Sequence, residues 1–154
     1  MTPKNYTLTL STQQSPADAF KTITNVRAWW TGLHEEEFRG SAEKLNDEFT
    51  FYAGKGAHYS KQKLVELVPN KKIVWLVTES HLNFLEQKDE WTGTKLVFVI
   101  TAKGDHTDIV FTHEGLTPEV ECYDLCAPTW TTYLQTKLVP LFNQALSVDR
   151  TQHV

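Results

Sequence analysis

Hydrophobic and polar residues alternate over several short stretches of the chain, which is the pattern of half-buried β-strands. The pattern appears near the start of the chain and then repeatedly in its middle part, over residues 6–10, 49–51, 59–68, 73–77, 94–102 and 107–113. A further segment, residues 35–38, is compatible with a short edge strand. Most of the connections between these stretches are short turns, and short turns between consecutive strands predict an antiparallel sheet.

A short helix and a second helical turn are predicted directly after the first strand. Ser15 is a residue type that caps helices, and Pro16 suits the first helical position. Apolar residues follow at helical spacing, and a second turn of helix is expected to end at Trp29 and Trp30. Because neighbours on a helix point about 100° apart, these two rings are not expected to face inward together. One exposed tryptophan favours either a cavity mouth or a homodimer contact.

A long helical pattern ends the chain. It starts at Thr117 and Pro118 and runs to about Leu146, and Pro128 is expected to kink it or restart it. This helix is the only element long enough to cover the apolar face of the sheet. We therefore predict that it packs on the concave face through one apolar stripe, which consists of Trp130, Leu134 and Leu138.

Four local motifs, together with their order, carry a resemblance to a known family. They are SPADAF at residues 15–20, LVPNKKIVW at 67–75, FTHEGL at 111–116 and WTTYL at 130–134. The chain resembles the SRPBCC superfamily, which includes START-like domains, over about residues 5–146. It is most similar to the branch related to activators of the heat-shock-protein ATPase, the AHSA-type domains.

The resemblance implies an α+β helix-grip fold of the birch-pollen-allergen type. A curved antiparallel sheet surrounds a long C-terminal helix in this fold, and two short helices follow the first strand. It further implies one START-like domain over residues 1–148, followed by a polar tail at 149–154. Members of the superfamily include lipid and sterol carriers, polyketide cyclases, aromatases and co-chaperone domains, and they share no catalytic residues. The fold alone therefore does not assign a function.

Aromatic residues are unusually numerous, with five Trp, five Tyr and eight Phe among 154 residues. Two interpretations remain open, a solid core of large rings and a cavity that binds an apolar or aromatic small molecule. In the second interpretation the cavity lies between the sheet and the last helix. Its expected ligand-binding residues are Trp29, Trp30, Phe49, Phe51, Trp75, Trp91, Phe98, Phe111, His113, Trp130, Tyr133 and Leu134.

Charge and hydropathy exclude several classes of partner. The chain has 15 basic and 19 acidic residues, a formal net charge of −4, whereas nucleic acid or an anionic membrane requires a basic face. The longest strongly apolar runs, 73–77 and 96–100, are far too short to span a bilayer. The N-terminal residues do not resemble a targeting signal. We expect a cytoplasmic protein with reduced cysteines.

His113 is the one candidate for a catalytic group. It shares a strand face with Ile109 and Phe111, so it is either a general base tuned by burial or a core histidine bonded to its surroundings. His58 follows a glycine-containing turn and is expected near a surface or rim. Glu90, beside Trp91, is either a carboxylate at the cavity mouth or an ordinary surface acid. No nucleophile elbow, phosphate-binding loop or dinucleotide fingerprint occurs in the chain.

Metal ligation has little support in the sequence. His34 precedes three glutamates, a segment that is more typical of a solvated acidic loop. Cys122 and Cys126 are four residues apart, a helical spacing that disfavours a disulfide, and a structural zinc site needs four ligands. We expect two reduced, buried thiols, no metal and no cofactor.

Binding of a hydrophobic, lipid-like or aromatic molecule in the cavity is the leading hypothesis. The first alternative is a cyclase-like or hydrolase-like enzyme that uses His113 in the same cavity. The second is a co-chaperone-type interaction domain, for which a large apolar patch on the outer face of the sheet is the expected sign. Alternation instead predicts polar residues on that face, such as Lys61, Lys63, Lys95 and Asp108. These observations favour a binding protein over an enzyme.

Overall fold

The structure is a computed structural model and describes residues 4–31 and 35–142. One antiparallel sheet of seven strands has the order β1-β7-β6-β5-β4-β3-β2, so the first strand lies beside the last. The strands are β1 Tyr6–Thr12, β2 Glu37–Gly40, β3 Glu48–Ala53, β4 His58–Val68, β5 Lys72–Leu82, β6 Lys95–Ala102 and β7 Thr107–Glu114. The predicted antiparallel sheet and the short edge strand are therefore confirmed.

Inward-facing side chains of the strands form the core. Alternation along β7 buries every second residue, and in β6 the alternate residues Leu96, Phe98 and Ile100 are buried together with Val97. The rows continue from one strand to the next because β6 and β7 pair in simple register. Strand β5 extends further than the sequence pattern indicated, to Leu82, and pairs with β4 through two register shifts. Ten side chains at alternate positions of β3, β5, β6 and β7 are buried: Phe49, Phe51, Ile73, Trp75, Leu96, Phe98, Ile100, Ile109, Phe111 and His113.

The helices α1 (Pro16–Thr24) and α2 (Val26–Trp29) follow the first strand, as predicted. The Ser15 hydroxyl accepts a hydrogen bond from the backbone N–H of Asp18 at 3.2 Å, which confirms the predicted cap. The expectation that one of the two adjacent tryptophans is exposed is wrong, since Trp29 and Trp30 are 0% and 3% exposed. Helix α2 ends at Trp29, and the non-helical ψ of 47° at Trp30 turns the second ring inward as well.

The helix α3 (Tyr123–Tyr133) lies on the concave side of the sheet and continues into a π-helical segment, Leu134–Leu138. It begins five residues after Pro118, because residues 117–122 form turns instead of the predicted helix start. Pro128 lies within the helix and does not end it. The predicted stripe is buried, with Trp130 at 5% exposure and the two leucines at 0%. The predicted packing of this helix on the sheet is thus confirmed.

Two further expectations concern residues that the structure does not describe. The predicted helix end near Leu146 and the polar tail at 149–154 both lie outside the described residues. A domain boundary at residue 148 therefore stays a prediction. Among the helices of residues 4–31 and 35–142, none combines the length and hydropathy that a bilayer crossing requires.

Candidate functional site

A cavity of about 250 Å³ lies between the sheet and helix α3. Its floor is formed by the end of β3 and the start of β4. Its opposite wall is formed by α3, the C-terminal end of α2 and the connection between β5 and β6. Residues in the wall are mainly aromatic or small: Trp30, Phe51, Ala53, Gly54, Ala57, His58, Phe84, Trp91, Leu125, Cys126, Thr129, Trp130 and Tyr133. Phe84 and Leu125 are 44% and 55% exposed, large apolar residues that a closed core would bury. They mark the mouth of the cavity.

Trp130 is the centre of the aromatic wall. Its ring stacks on Trp91 with centroids 5.9 Å apart and an interplanar angle of 10°, and it meets Trp30 edge to face at 5.4 Å. Phe111 lies behind it at 4.7 Å. Trp30 in turn meets Phe51 edge to face at 5.0 Å. These contacts hold three indole rings from three different elements around one space, so the cavity is bounded by rigid rings.

His113 is held inside the core behind this wall. Its Nδ1 accepts a hydrogen bond from Trp130 Nε1 at 3.0 Å, and its Nε2 lies 2.9 Å from Thr94 Oγ1. The Thr94 hydroxyl donates to the carbonyl of Trp91 at 2.6 Å, so it accepts from His113 Nε2–H. This network fixes one neutral tautomer and leaves neither ring nitrogen without a partner. Burial, with His58 as the smaller cause, lowers the pKa of His113 from 6.5 to about 3.

Backbone geometry next to His113 supports the same network. Gly115 has a φ of +105°, and a Cβ at this position would lie 2.6 Å from Thr94 Cγ2. Glycine at this position therefore lets Thr94 approach β7 closely enough to accept the hydrogen bond from His113 Nε2–H. His113 is 0% exposed and is not part of the cavity wall.

His58 is the histidine of the cavity wall. It meets Trp91 at 4.8 Å and Phe51 at 5.4 Å, both edge to face, and its Nε2 lies 3.2 Å from Ser60 Oγ. Ser60 also accepts a hydrogen bond from the buried amide of Gln62 at 2.5 Å. A line of polar side chains therefore runs along the inner face of β4 from the cavity into the core.

Tyr133 brings a second polar group to the wall. Its hydroxyl donates to the carboxylate of Glu36 at 2.5 Å. Burial, followed by this hydrogen bond, raises the pKa of Tyr133 above its ordinary value. The phenol therefore stays protonated at physiological pH and binds the helix to the segment before β2.

Two carboxylates anchor the connection between β5 and β6 to the start of α3. Glu90 accepts from the backbone N–H groups of Glu121 and Cys122 at 2.9 and 2.8 Å. Glu121 accepts from the backbone N–H groups of Glu86 and Gln87, and these bonds lower the pKa of Glu121. The connection carries Phe84 and Trp91, so the two acids hold one side of the cavity in place. Glu90 thus binds two backbone N–H groups directly before α3 begins.

Replacing Glu90 by glutamine tests this anchoring. The amide retains one acceptor oxygen and loses the negative charge, so the backbone N–H of Glu121 or of Cys122 is left without its partner. We expect the free energy of unfolding in urea to fall by about 1 kcal/mol. The matched control Glu119→Gln, at an exposed carboxylate of the same segment, should change it by less than about 0.5 kcal/mol. Equal losses of stability in the two variants would contradict this anchoring role of Glu90.

The two cysteines are paired, which corrects the expectation of two reduced thiols. A disulfide joins Cys122 to Cys126, whose Cα atoms are 5.4 Å apart. That separation lies within the disulfide range of about 4.4–6.8 Å. The turn between them is helical, because the Cys126 backbone N–H donates to the Cys122 carbonyl at 2.6 Å, so the expectation that helical spacing disfavours a disulfide is wrong. Cys126 contributes to the cavity wall.

The structure separates the predicted site residues into two groups. Five of them are in the cavity wall: Trp30, Phe51, Trp91, Trp130 and Tyr133. The other seven pack in the core around the cavity: Trp29, Phe49, Trp75, Phe98, Phe111, His113 and Leu134. The small residues and the mouth residues of the wall are not predictable from the sequence, because an alanine or an exposed leucine carries no sequence signal of a cavity. The expected position of His58 at a rim agrees with its half-buried position in the wall.

Metal-ligating residues do not gather near this site in the described chain. No group of three or more His, Cys, Asp and Glu side chains is placed to hold a metal ion within residues 4–31 and 35–142. His34, the histidine of the acidic segment, lies outside the described residues.

Comparisons with known proteins identify the family and the fold. Residues 14–143 match the family model described as activator of Hsp90 ATPase homolog 1-like protein. A comparison with curated proteins finds no significant match. The Aha1 dimer of Colwellia psychrerythraea, solved in solution, is similar with a TM-score of 0.67 and 20% identity over 86% of this chain and 92% of that one.

Two crystal structures show the same fold. An HSP90 activator from Plasmodium falciparum has a TM-score of 0.58 and 15% identity, with 93% of this chain and 96% of that one covered. A protein of Rhizobium loti has a TM-score of 0.69 and 16% identity, with 87% and 94% covered. At these identities the similarity shows a shared fold, which is the predicted helix grip.

Proposed function

The chain belongs to the family of activator of Hsp90 ATPase homolog 1-like proteins. For this member of the family we propose the binding of a small aromatic or otherwise apolar molecule. The binding site is the cavity between the sheet and helix α3. One observation carries the proposal, an open space of about 250 Å³ that is bounded by rings. Protein interiors are normally packed without such voids. A preformed, mainly apolar cavity with few polar groups is the usual form of a small-molecule site.

The size of the cavity limits the ligand. Pockets for drug-sized molecules have volumes of about 300–1,000 Å³. A cavity of about 250 Å³ suits a ligand of two fused rings or fewer, or a short acyl chain. The flat indole faces of Trp91 and Trp130 favour a planar ring over a branched chain.

The alternative functions have weaker support. An enzyme that uses His113 needs a free nitrogen at the cavity, yet both nitrogens of His113 are hydrogen-bonded inside the core. An interaction domain of the co-chaperone type would need a broad apolar patch on the outer sheet face. That face exposes separate valines, Val68 and Val99 at 38% each, and single apolar residues are normal on protein surfaces.

Assembly and location stay predictions. The Colwellia psychrerythraea relative is described as a dimer. The sequence-based prediction of a homodimer depends on one exposed tryptophan. Because both Trp29 and Trp30 are buried, this reason for a homodimer does not hold. Light scattering of the purified protein distinguishes a monomer from a dimer. A cytoplasmic location is expected from the sequence alone.

Filling the cavity tests the proposed function. Isothermal titration of the wild type with 2-ethylnaphthalene, a neutral two-ring hydrocarbon, should give a dissociation constant on the order of 10–100 µM. Ala57→Phe places a ring in the cavity wall and should weaken binding at least about 10-fold. The matched control Ala102→Phe, at an exposed position on β6, should bind as the wild type does. No heat of binding with the wild type, or unchanged binding by Ala57→Phe, would refute the cavity as the site.

A further inference from the structure

Two indole nitrogens in the cavity wall lack a hydrogen-bond partner. Trp30 Nε1 and Trp91 Nε1 are buried, and within the described residues neither donates to an acceptor. Buried polar groups are nearly always paired, so an unpaired donor needs an explanation. Both rings belong to the wall, and both pack on the same third ring, Trp130. Both unpaired donors therefore belong to rings that bound the cavity next to Trp130.

The other three tryptophans provide a comparison within the same chain. Trp29 Nε1 donates to the carbonyl of Ile23 at 3.0 Å, and Trp130 Nε1 donates to His113 at 3.0 Å. Trp75 Nε1 is also unpaired, but Trp75 lies in the core and not in the cavity wall. The fold thus satisfies the indole donors of Trp29 and Trp130 internally and leaves three unsatisfied, of which those of Trp30 and Trp91 belong to rings of the cavity wall.

Charge in the wall is the second, independent observation. The described wall residues include no Lys, Arg, Asp or Glu, and His58 is the only histidine among them. The carboxylate of Glu36, next to the wall, already accepts the hydrogen bond of Tyr133. A carboxylate or ammonium group on a ligand would lose its hydration here without an opposite charge to compensate. Such a wall discriminates against charged ligands.

We propose that the cavity selects a neutral, planar ligand that carries a carbonyl-type acceptor oxygen, and that Trp30 and Trp91 donate to this oxygen. Aromatic ketones, aldehydes and quinones have this chemistry. The inference rests on the proposed function and adds the chemical class of the ligand to it. Because neither indole nitrogen is open to solvent, the rings must turn slightly as the ligand binds. Pairing of a previously unpaired buried donor then contributes to affinity.

A matched pair of probes separates this inference from binding itself. The probe 2-acetylnaphthalene carries a ketone, and 2-ethylnaphthalene has nearly the same shape without it. We expect the wild type to bind the ketone about 5-fold more tightly than the hydrocarbon, the size of one hydrogen bond. The carboxylate 2-naphthoate should bind at least about 10-fold more weakly than the ketone. Binding of the hydrocarbon without preference for the ketone overturns the inference alone, whereas absence of binding by every probe overturns the proposed function as well.

Conservative ring variants test the donors. Trp30→Phe and Trp91→Phe each keep an aromatic ring and remove one N–H. The dissociation constant of the hydrocarbon divided by that of the ketone should therefore fall from about 5 toward 1. Trp75→Phe removes an unpaired N–H that is outside the wall and should leave the ratio unchanged. The ratio cancels general effects of each substitution on packing. An unchanged ratio in both wall variants overturns the assignment of the donors.

Indole NMR signals of the unsubstituted protein give a test that does not depend on the folding of any variant. In ¹⁵N-labelled protein the ketone should shift the indole N–H signals of Trp30 and Trp91 downfield, in the direction of hydrogen bonding. The signal of Trp29, already bonded to Ile23, serves as the internal control and should stay in place. If 2-acetylnaphthalene binds and shifts neither wall signal downfield, the inference is wrong. Tighter binding of 2-naphthoate than of the ketone also contradicts it.

Discussion

Replacing Trp130 by alanine is expected to lower the free energy of unfolding by about 4 kcal/mol. Truncation of a buried Trp or Phe costs about 3–5 kcal/mol through lost transfer energy and the cavity that remains. The ring of Trp130 contacts Trp30, Trp91 and Phe111, so three neighbours lose a partner at once. His113 Nδ1 also loses its donor. Urea denaturation followed by far-ultraviolet circular dichroism measures the change.

Trp130→Phe is the matched control for this experiment. Phenylalanine keeps most of the ring volume and removes the N–H that donates to His113. We expect a smaller loss of about 1–2 kcal/mol, which combines one hydrogen bond and a small packing defect. A loss below about 1 kcal/mol for the alanine variant would indicate a surface position and would contradict a central role of this ring. The phenylalanine variant keeps the test informative if the alanine variant does not fold.

Acid is expected to destabilise the protein through His113 as the pH falls below about 6.5. The unfolded chain binds a proton on this histidine below about pH 6.5, whereas the folded protein does so only near pH 3. Because the unfolded state binds more protons in this window, stability falls as the pH decreases from 6.5 toward 3. The slope approaches about 1.4 kcal/mol per pH unit, so the loss from His113 is about 2 kcal/mol at pH 5.

His113→Gln separates this effect from all other titrations. Glutamine keeps a donor for Thr94 and an acceptor for Trp130, and it does not bind a proton. The variant should therefore lose about 2 kcal/mol less than the wild type between pH 7 and pH 5 in urea denaturation. The exposed histidines contribute equally to both proteins, so they cancel in the difference. Parallel stability curves of the two proteins would show that His113 is not held neutral by burial.

Periodicity predicted most of the fold because the residues that carry it obey local rules. Ser15 and Pro16 set the start of α1 by capping chemistry, which does not depend on the rest of the chain. The alternation in β6 and β7 predicted which residues face inward, including Phe111 and His113. Local rules fail where they compete with the packing of the whole chain. Pro118 is an example, because its local sequence resembles a helix start and yet it lies in a turn.

The cavity was only partly predictable for a related reason. Aromatic content indicated rings between the sheet and the helix, but sequence does not distinguish a ring that packs solidly from one that borders a space. Trp75 and Trp91 illustrate this, since both are buried tryptophans and only the second is in the wall. The inward turn of Trp30 depends on one non-helical ψ angle. Single backbone angles of this kind leave no periodic signal.

Uptake of an aromatic molecule by the cavity is tested most directly by intermolecular NOEs between the labelled protein and unlabelled 2-ethylnaphthalene. An isotope-filtered experiment detects probe protons that lie close to protein protons. The predicted result is a set of NOEs from the probe to ring protons of Phe51, Trp91 and Trp130, which surround the cavity. NOEs confined to the outer face of the sheet, such as those to Val99, would contradict the cavity as the binding site. Absence of any NOE at saturating probe would contradict binding altogether.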